Sequence, residues 1–426
     1  MKKTAFYVAC SLAISATFFM GWSSVAWEAG FFWVVLLGFN LAIWSSYPRY
    51  RWLALKQLTI TLTLLVLANP FVSAGVTLAK GDKPPVPTGM PGLVSLSRPV
   101  GERMVGFNDT VRRVSTDLRG HRTNGPIDYD HKPPGVVRVV AIGASTTEEA
   151  FIDDRDTWSA RAAATLEKAL GQKVELINTA VSGLRAEHDY RILVESAAYK
   201  PDIAIFLVGI NDWNEAIIKV HQQANAPKAS GARGVIGKFL SVDRTVLVKA
   251  IQVGIRLAVW QVDQWGWPPA VVDQSNLELK DKQHSLDRAR KIDYEPTSVS
   301  ADYAMWVGKI MEECKSRKIE CLFVDQPTAY RPDIVPDLRW RLWMTPLNSD
   351  YTVSFENMVH TARLYNDWLG KTAEEHGLPF CSASAHVPAT TGFFFDDCHF
   401  NDGGSALVGK LVGQCLVDQK IGAGLR

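Results

Sequence analysis

The chain has 426 residues, 47% of them apolar, and carries 46 basic against 44 acidic side chains. Within residues 1–79 only Lys2, Lys3, Arg49, Arg51, Lys56 and Glu28 are charged, a net +4, so the rest of the chain holds 41 basic and 43 acidic groups, a net −2. A front so poor in charge excludes an ordinary cytosolic globule and a disordered chain. The near-neutral remainder lacks the clustered basic face of a nucleic-acid-binding protein, so no nucleic-acid partner is expected.

Three apolar runs come first, at residues 5–27, 31–47 and 58–79. A helix crosses a bilayer with about 20 apolar residues, about 17 at the lower limit. The first and third runs pass this test and the second sits at its edge. Trp22, Trp27, Trp33, Trp44 and Trp52 lie near the run ends, where indole rings favour the interface. Lys2 and Lys3 precede the first run, and Arg49, Arg51 and Lys56 separate the second from the third. By the positive-inside rule both basic segments are cytoplasmic, and three crossings place the chain after Lys80 outside. A cleaved signal peptide is the competing reading of Lys2-Lys3 and the first run. Residues 1–79 are thus expected to be a membrane anchor of about three transmembrane helices, in an inner membrane with the body facing periplasm or exterior. Residues 80–100, with Pro84, Pro85, Pro87 and Pro91, read as a linker.

The body, 101–426, alternates short apolar runs with helical periodicity. Strands are expected at 136–142, 174–178, 203–208, 319–324 and, shorter, 378–381. Helices are expected at 156–170, with Thr157 a candidate cap, and at 185–198, 300–317, 355–376 and 403–419. Such alternation implies a mostly parallel five-stranded sheet with helices on both faces, a three-layer α/β/α sandwich. Between Asp212 and Ser300 the pattern weakens, and 213–299 reads as an insertion too long for a simple loop. A helix at 244–260 places Lys249, Gln252 and Arg256 on one face; it suits either packing on the domain or contact with lipid headgroups.

In parallel sheets, functional groups gather at the carboxyl edge of the strands. The first strand leads to Gly143-Ala144-Ser145, the second to Asn178 through Gly183, the third to Gly209-Ile210-Asn211-Asp212. Near the C-terminus stands Asp396-Asp397-Cys398-His399. A serine at a strand end can present its hydroxyl beside backbone N–H groups, and a glycine lets a backbone N–H approach a ligand. An acid three residues before a histidine can orient its ring. Taken singly, each piece also suits a plain turn, a turn glycine, an Asx turn or a surface pair.

Together, in this order, the four pieces resemble the SGNH or GDSL hydrolase family. Gly143-Ala144-Ser145 matches its first block, Gly183 its second, Gly209 to Asp212 its third and Asp396 to His399 its last. Residues 108–120 look like the lead-in of membrane-anchored bacterial members. The resemblance implies a flavodoxin-like fold and a serine esterase without cofactor or metal. Ser145 is then the nucleophile, His399 the general base and Asp396 its orienting acid. The N–H groups of Ser145 and Gly183 and the Asn211 amide form the oxyanion hole. Ala144 stands where the family usually has Asp, a residue outside its triad, and Asp397 competes with Asp396 for the histidine. The expected substrate is an ester-bearing small molecule, glycan or lipid. An O-acyltransferase on a cell-envelope glycan and a non-catalytic envelope-binding protein are the alternatives.

Other residues are read more plainly. Glu148, Glu149, Asp153 and Asp154 suit a solvated face, and Trp340 and Trp343 suit either a substrate cleft or core packing. Of Cys314, Cys321, Cys381, Cys398 and Cys415, some are expected to pair in an oxidising compartment. Cys314 with Cys321 and Cys381 with Cys398 are the candidate pairs; the odd number leaves at least one thiol free, and connectivity does not follow from the sequence.

Overall fold

A computed structural model of the chain describes residues 94–99, 104–109, 111–224, 289–342 and 351–424. The three apolar runs, most of the linker, the helix expected at 244–260 and Trp343 lie outside them. Among the described residues no helix is long and apolar enough to cross a membrane.

The first elements are β1 (Val94–Pro99), inside the expected linker, and β2 (Val111–Thr116), which pair antiparallel. A two-residue strand, β3 (Arg122–Thr123), follows. Then come β4 (Val137–Gly143), α1 (Ser145–Glu148), α2 (Trp158–Leu170), β5 (Val174–Asn178), α3 (Ala186–Ser196), β6 (Ile203–Leu207) and α4 (Ile210–Ala224). The second half holds β7 (Arg290–Lys291), α5 (Ala301–Arg317), β8 (Glu320–Val324), α6 (Pro336–Arg339), β9 (Tyr351–Thr352), α7 (Phe355–Glu375), β10 (Phe380–Cys381) and α8 (Asp402–Asp418).

Every residue of β4, β5 and β6 is buried. Burial on both faces is why they read as unbroken apolar runs, as parallel strands do. The sheet order is β10-β8-β6-β4-β5-β3. Five strands are parallel and only β3 runs against its neighbour β5. The parallel strands follow the flavodoxin-like order 2-1-3-4-5, whose switch point lies between β4 and β6. The expected five-stranded sheet is present, with β3 added as a sixth, antiparallel edge.

Helix α2 packs against α8, and α3 against α5. The Thr157 side chain caps α2 by accepting from Ala160 N. On α8, a Cβ at Gly409 would meet Arg161 Cβ at 2.7 Å, and one at Gly413 would meet Thr165 Cβ at 2.8 Å. These two bare positions let α8 close onto α2. At the amino edge of the sheet, fully buried Arg138 pairs with Glu175 at 2.7 Å and donates to the carbonyls of Tyr199 and Asp128. A buried charge is tolerated when its donors are used in this way.

Two expectations need correction. Residues 213–224, assigned to an insertion, lie in α4, whose Ile210, Trp213, Ala216 and Ile217 are buried at helical spacing. Polar Asn211, Asp212, Asn214 and Glu215 interrupt that stripe in the sequence. Cys381 bonds Cys415, not Cys398, because α8 packs on β10. Cys398 is a free, buried thiol, and Cys314 pairs with Cys321 as expected.

Candidate active site

The site grows from the end of β4. A Cβ at Gly143 would meet Thr147 Oγ1 at 2.5 Å and the Leu207 carbonyl at 2.6 Å, so the turn into α1 has no room for a side chain there. Ala144 serves as N-cap without a side-chain hydrogen bond, and its carbonyl accepts from Thr147 N and Glu148 N. Asn178, at the end of β5, donates to the Thr147 carbonyl at 2.7 Å. The Trp158 indole donates to the Thr146 carbonyl, and Thr146 Oγ1 donates to Gln326 beyond β8. The turn is therefore braced from α2 and from the strands on both sides. As first residue of α1, Ser145 has an N–H without an intrahelical partner.

The loop after β10 brings the histidine. His399 Nε2 lies 2.8 Å from Ser145 Oγ, and its Nδ1 lies 2.8 Å from Asp396 Oδ2. The bonding pattern assigns the proton to Nδ1, donating to Asp396, so Nε2 accepts from the serine hydroxyl. Asp396 Oδ1 accepts from the backbone N–H groups of Cys398 and His399. Burial raises the Asp396 carboxyl, but the imidazole and these donors outweigh it and hold it below the ordinary carboxylate value. Burial pulls His399 down, yet the Asp396 carboxylate and its hydrogen bond win, and the imidazole sits above its ordinary value of 6.5. Its side chain keeps 22% exposure. The Phe395 ring stacks on the imidazole with centroids 5.6 Å apart. Phe107 and Phe151 pack against Phe395 in turn.

Asp397 does not compete. Its Oδ2 accepts from Tyr330 Oη at 2.9 Å, and burial plus repulsion from Asp396 pushes its carboxyl up to about 8. Asp396, Asp397, Cys398 and His399 bring metal-ligand atoms within 4.8 Å of one another. However, His399 has both ring nitrogens engaged by Asp396 and Ser145.

The oxyanion candidates lie at the neighbouring strand ends. Gly183 takes φ +84°, a left-handed conformation that side chains rarely adopt. No acceptor among the described residues takes its N–H. Asn211, in the first turn of α4, donates to the Leu184 carbonyl at 2.7 Å, which leaves the second N–H of its amide uncommitted. Asp212 accepts from Ala186 N, and burial raises its carboxyl to about 7. Ser145, Gly183 and Asn211 thus sit at the carboxyl ends of β4, β5 and β6.

The acidic residues read as a solvated face are internal connectors. Glu149 is buried, accepts from Trp158 N at 2.6 Å, and is raised by burial to about 8. Asp154 accepts from Arg122, which also donates to the Glu148, Glu149 and Ile152 carbonyls. Asp153 accepts from Arg113 N, and Glu148 accepts from Ser182 N. The lead-in segment is equally tied down: Arg112 and Asn108 N both bond Asp402 at the start of α8. Asn178, Glu148, Arg112 and Arg122 carry no motif of their own, and only their contacts reveal them. Trp340 is 43% exposed beside Arg341.

A doubly wound sheet with a serine, a histidine and an aspartate linked at its carboxyl edge defines an acyl hydrolase of SGNH type. Residues 141–407, more than half of the chain, match the GDSL-like lipase/acylhydrolase family, and the chain belongs to that family. It is a hydrolase of ester bonds. Similar solved structures include a catalytic variant of an acetylxylan esterase from Geobacillus stearothermophilus, 11% identical with a TM-score of 0.37. That match covers 65% of this chain and 91% of the other. A GDSL-like lipase from Bacteroides thetaiotaomicron is 13% identical with a TM-score of 0.33, covering 66% of this chain and 88% of its own. A lipolytic G-D-S-L family protein from Desulfitobacterium hafniense is 13% identical with a TM-score of 0.33, covering 66% and 99%. No curated protein matches the chain.

Proposed function

We propose that this is a membrane-anchored serine esterase, facing away from the cytoplasm, that removes acyl groups such as acetyl from an envelope glycan or lipid. The observation that carries the chemistry is the unbroken line from Asp396 through His399 to Ser145, with both links at 2.8 Å. His399 Nε2 takes the hydroxyl proton as Ser145 Oγ attacks the ester carbonyl carbon. The carbonyl oxygen becomes an oxyanion, received by the N–H groups of Ser145 and Gly183 and the Asn211 amide. Asp396 balances the charge of the imidazolium. Collapse breaks the bond to the alkoxy oxygen, and Nε2 returns the proton to the departing alcohol. Water, deprotonated by His399, then attacks the acyl-serine; the acid leaves and Ser145 regains its proton.

Two lines support the external placement. The charges of residues 1–79 orient the body outward by the positive-inside rule. The Cys314–Cys321 and Cys381–Cys415 disulfides suit an oxidising compartment. The test uses the full-length protein in detergent with an O-acetylated oligosaccharide, with and without an unacetylated acceptor. Release of free acetate that Ser145→Ala abolishes is the expected result. Acetyl transfer to the acceptor in place of release would make the chain a transferase, and cleavage that survives Ser145→Ala would overturn the mechanism.

A further inference from the structure

Ser182 and Gly183 are exposed, and a Cβ placed on Gly183 would find no atom within 4 Å. No packing therefore holds this tip of the loop after β5. Hydrogen bonds flank it instead. On one side Asn211 donates to the Leu184 carbonyl at 2.7 Å. On the other, Glu148 Oε2 accepts from Ser182 N at 2.7 Å and from the Ser182 hydroxyl. Glu148 lies three residues after Ser145 on α1, a spacing that places both side chains on one face of a helix. The carboxylate thus links the segment carrying the nucleophile to the segment carrying the Gly183 N–H.

We propose that Glu148 is a positioning residue of the oxyanion hole, holding the Ser182–Gly183 peptide so that the Gly183 N–H stays aimed at the reacting carbonyl oxygen. The inference rests on the reading of Ser145 as nucleophile. Glu148 touches no reacting atom; it acts through Ser182. Its charge, from α1, also raises the His399 imidazole, as do those of Asp396 and Asp397 from the histidine's own loop. Glu148 therefore has two separable effects, one through its hydrogen bonds and one through its charge.

The test is kcat and KM across pH for the full-length protein in detergent, with p-nitrophenyl acetate as probe. Glu148→Gln keeps a carbonyl oxygen that can accept from Ser182 N; Glu148→Ala keeps nothing. Removing an oxyanion donor outright costs about 10²–10³ in kcat. Loosening one should cost less, so Glu148→Ala is expected to lower kcat about tenfold or more with KM unchanged. Glu148→Gln should recover most of that loss, while its acid limb moves to lower pH because the charge beside His399 is gone. Wild-type kcat in Glu148→Ala, a loss confined to KM, or a Gln variant as slow as Ala would overturn the proposal. Should the Ala variant fail to fold, Glu148→Leu, which keeps the side-chain bulk but no oxygen to accept from Ser182 N, takes its place, and wild-type kcat there overturns the proposal. A wild-type protein that neither turns over the ester nor labels at Ser145 with a fluorophosphonate refutes the nucleophile reading itself, a failure distinct from these.

Discussion

Asp396 and Asp397 are adjacent carboxylates that the fold sends in opposite directions. Asp396 holds His399 Nδ1 and is kept ionised; Asp397 turns to Tyr330 and is raised by burial to about 8. Loss of the orienting acid in a Ser-His-Asp triad costs about 10⁴-fold in kcat. Asp396→Asn should show a loss of that order in steady-state ester hydrolysis, with Asp397→Asn within a few-fold of wild type; the reverse ranking would reassign the triad. The pH profile follows from the same contacts. His399 must be neutral to accept the Ser145 proton, and burial, which lowers it, is outweighed by Asp396, which raises it above 6.5. The acid limb of kcat/KM should therefore have its midpoint above 6.5, activity rising through it as pH increases. The line from Asp396 through His399 to Ser145 was legible because the motif blocks place a serine at a strand end and an acid three residues before a histidine, and the places of Gly183 and Asn211 beyond β5 and β6 were legible in the same way. Glu148, Asn178 and Arg112 were not, since a carboxylate reaching a loop 34 residues away leaves no local pattern.

At the scale of elements, the His399 loop depends on α8. That helix begins at Asp402, three residues past the histidine, closes onto α2 through Gly409 and Gly413, and is bonded to β10 by Cys381–Cys415. Closing a loop with a sequence separation of 34 stabilises by about 3–4 kcal/mol in the chain-entropy description. Cys415→Ala should lower the unfolding free energy by about that amount, measured by urea titration. An unchanged midpoint under oxidising conditions would show that the bond contributes nothing. The buried strands and the periodic helices were readable from the sequence, because two-sided burial writes continuous apolar runs and a single buried face writes a 3.6-residue repeat. Helix α4 escaped because polar residues begin it: Asn211 and Asp212 occupy its first turn, one donating to the Leu184 carbonyl and the other accepting from Ala186 N. The Cys415 pairing escaped because connectivity depends on how α8 docks, which spacing does not encode.

For the molecule as a whole, the buried acids make stability depend on pH. Glu149 is raised from 4.5 to about 8, so the folded chain binds a proton there that the unfolded chain has released. Its stabilising contribution is complete below about 4.5 and disappears as pH rises through about 8. Each such group contributes a slope of about 1.4 kcal/mol per pH unit between those limits. Urea midpoints should therefore fall from about pH 5 to about pH 9. Glu149→Gln should flatten that decline, and an equally steep decline in the variant would contradict the assignment. The charge-poor front of the chain is the basis of the proposed anchoring, and the sheet edge is the basis of the proposed chemistry. That edge converges on one atom. The most direct measurement is fluorophosphonate labelling of the full-length protein, with the modified peptide located by mass spectrometry. A single adduct on Ser145, lost in His399→Ala together with ester hydrolysis, is the predicted result. An adduct on a different residue, or hydrolysis that persists with Ser145 replaced by Ala, would contradict it.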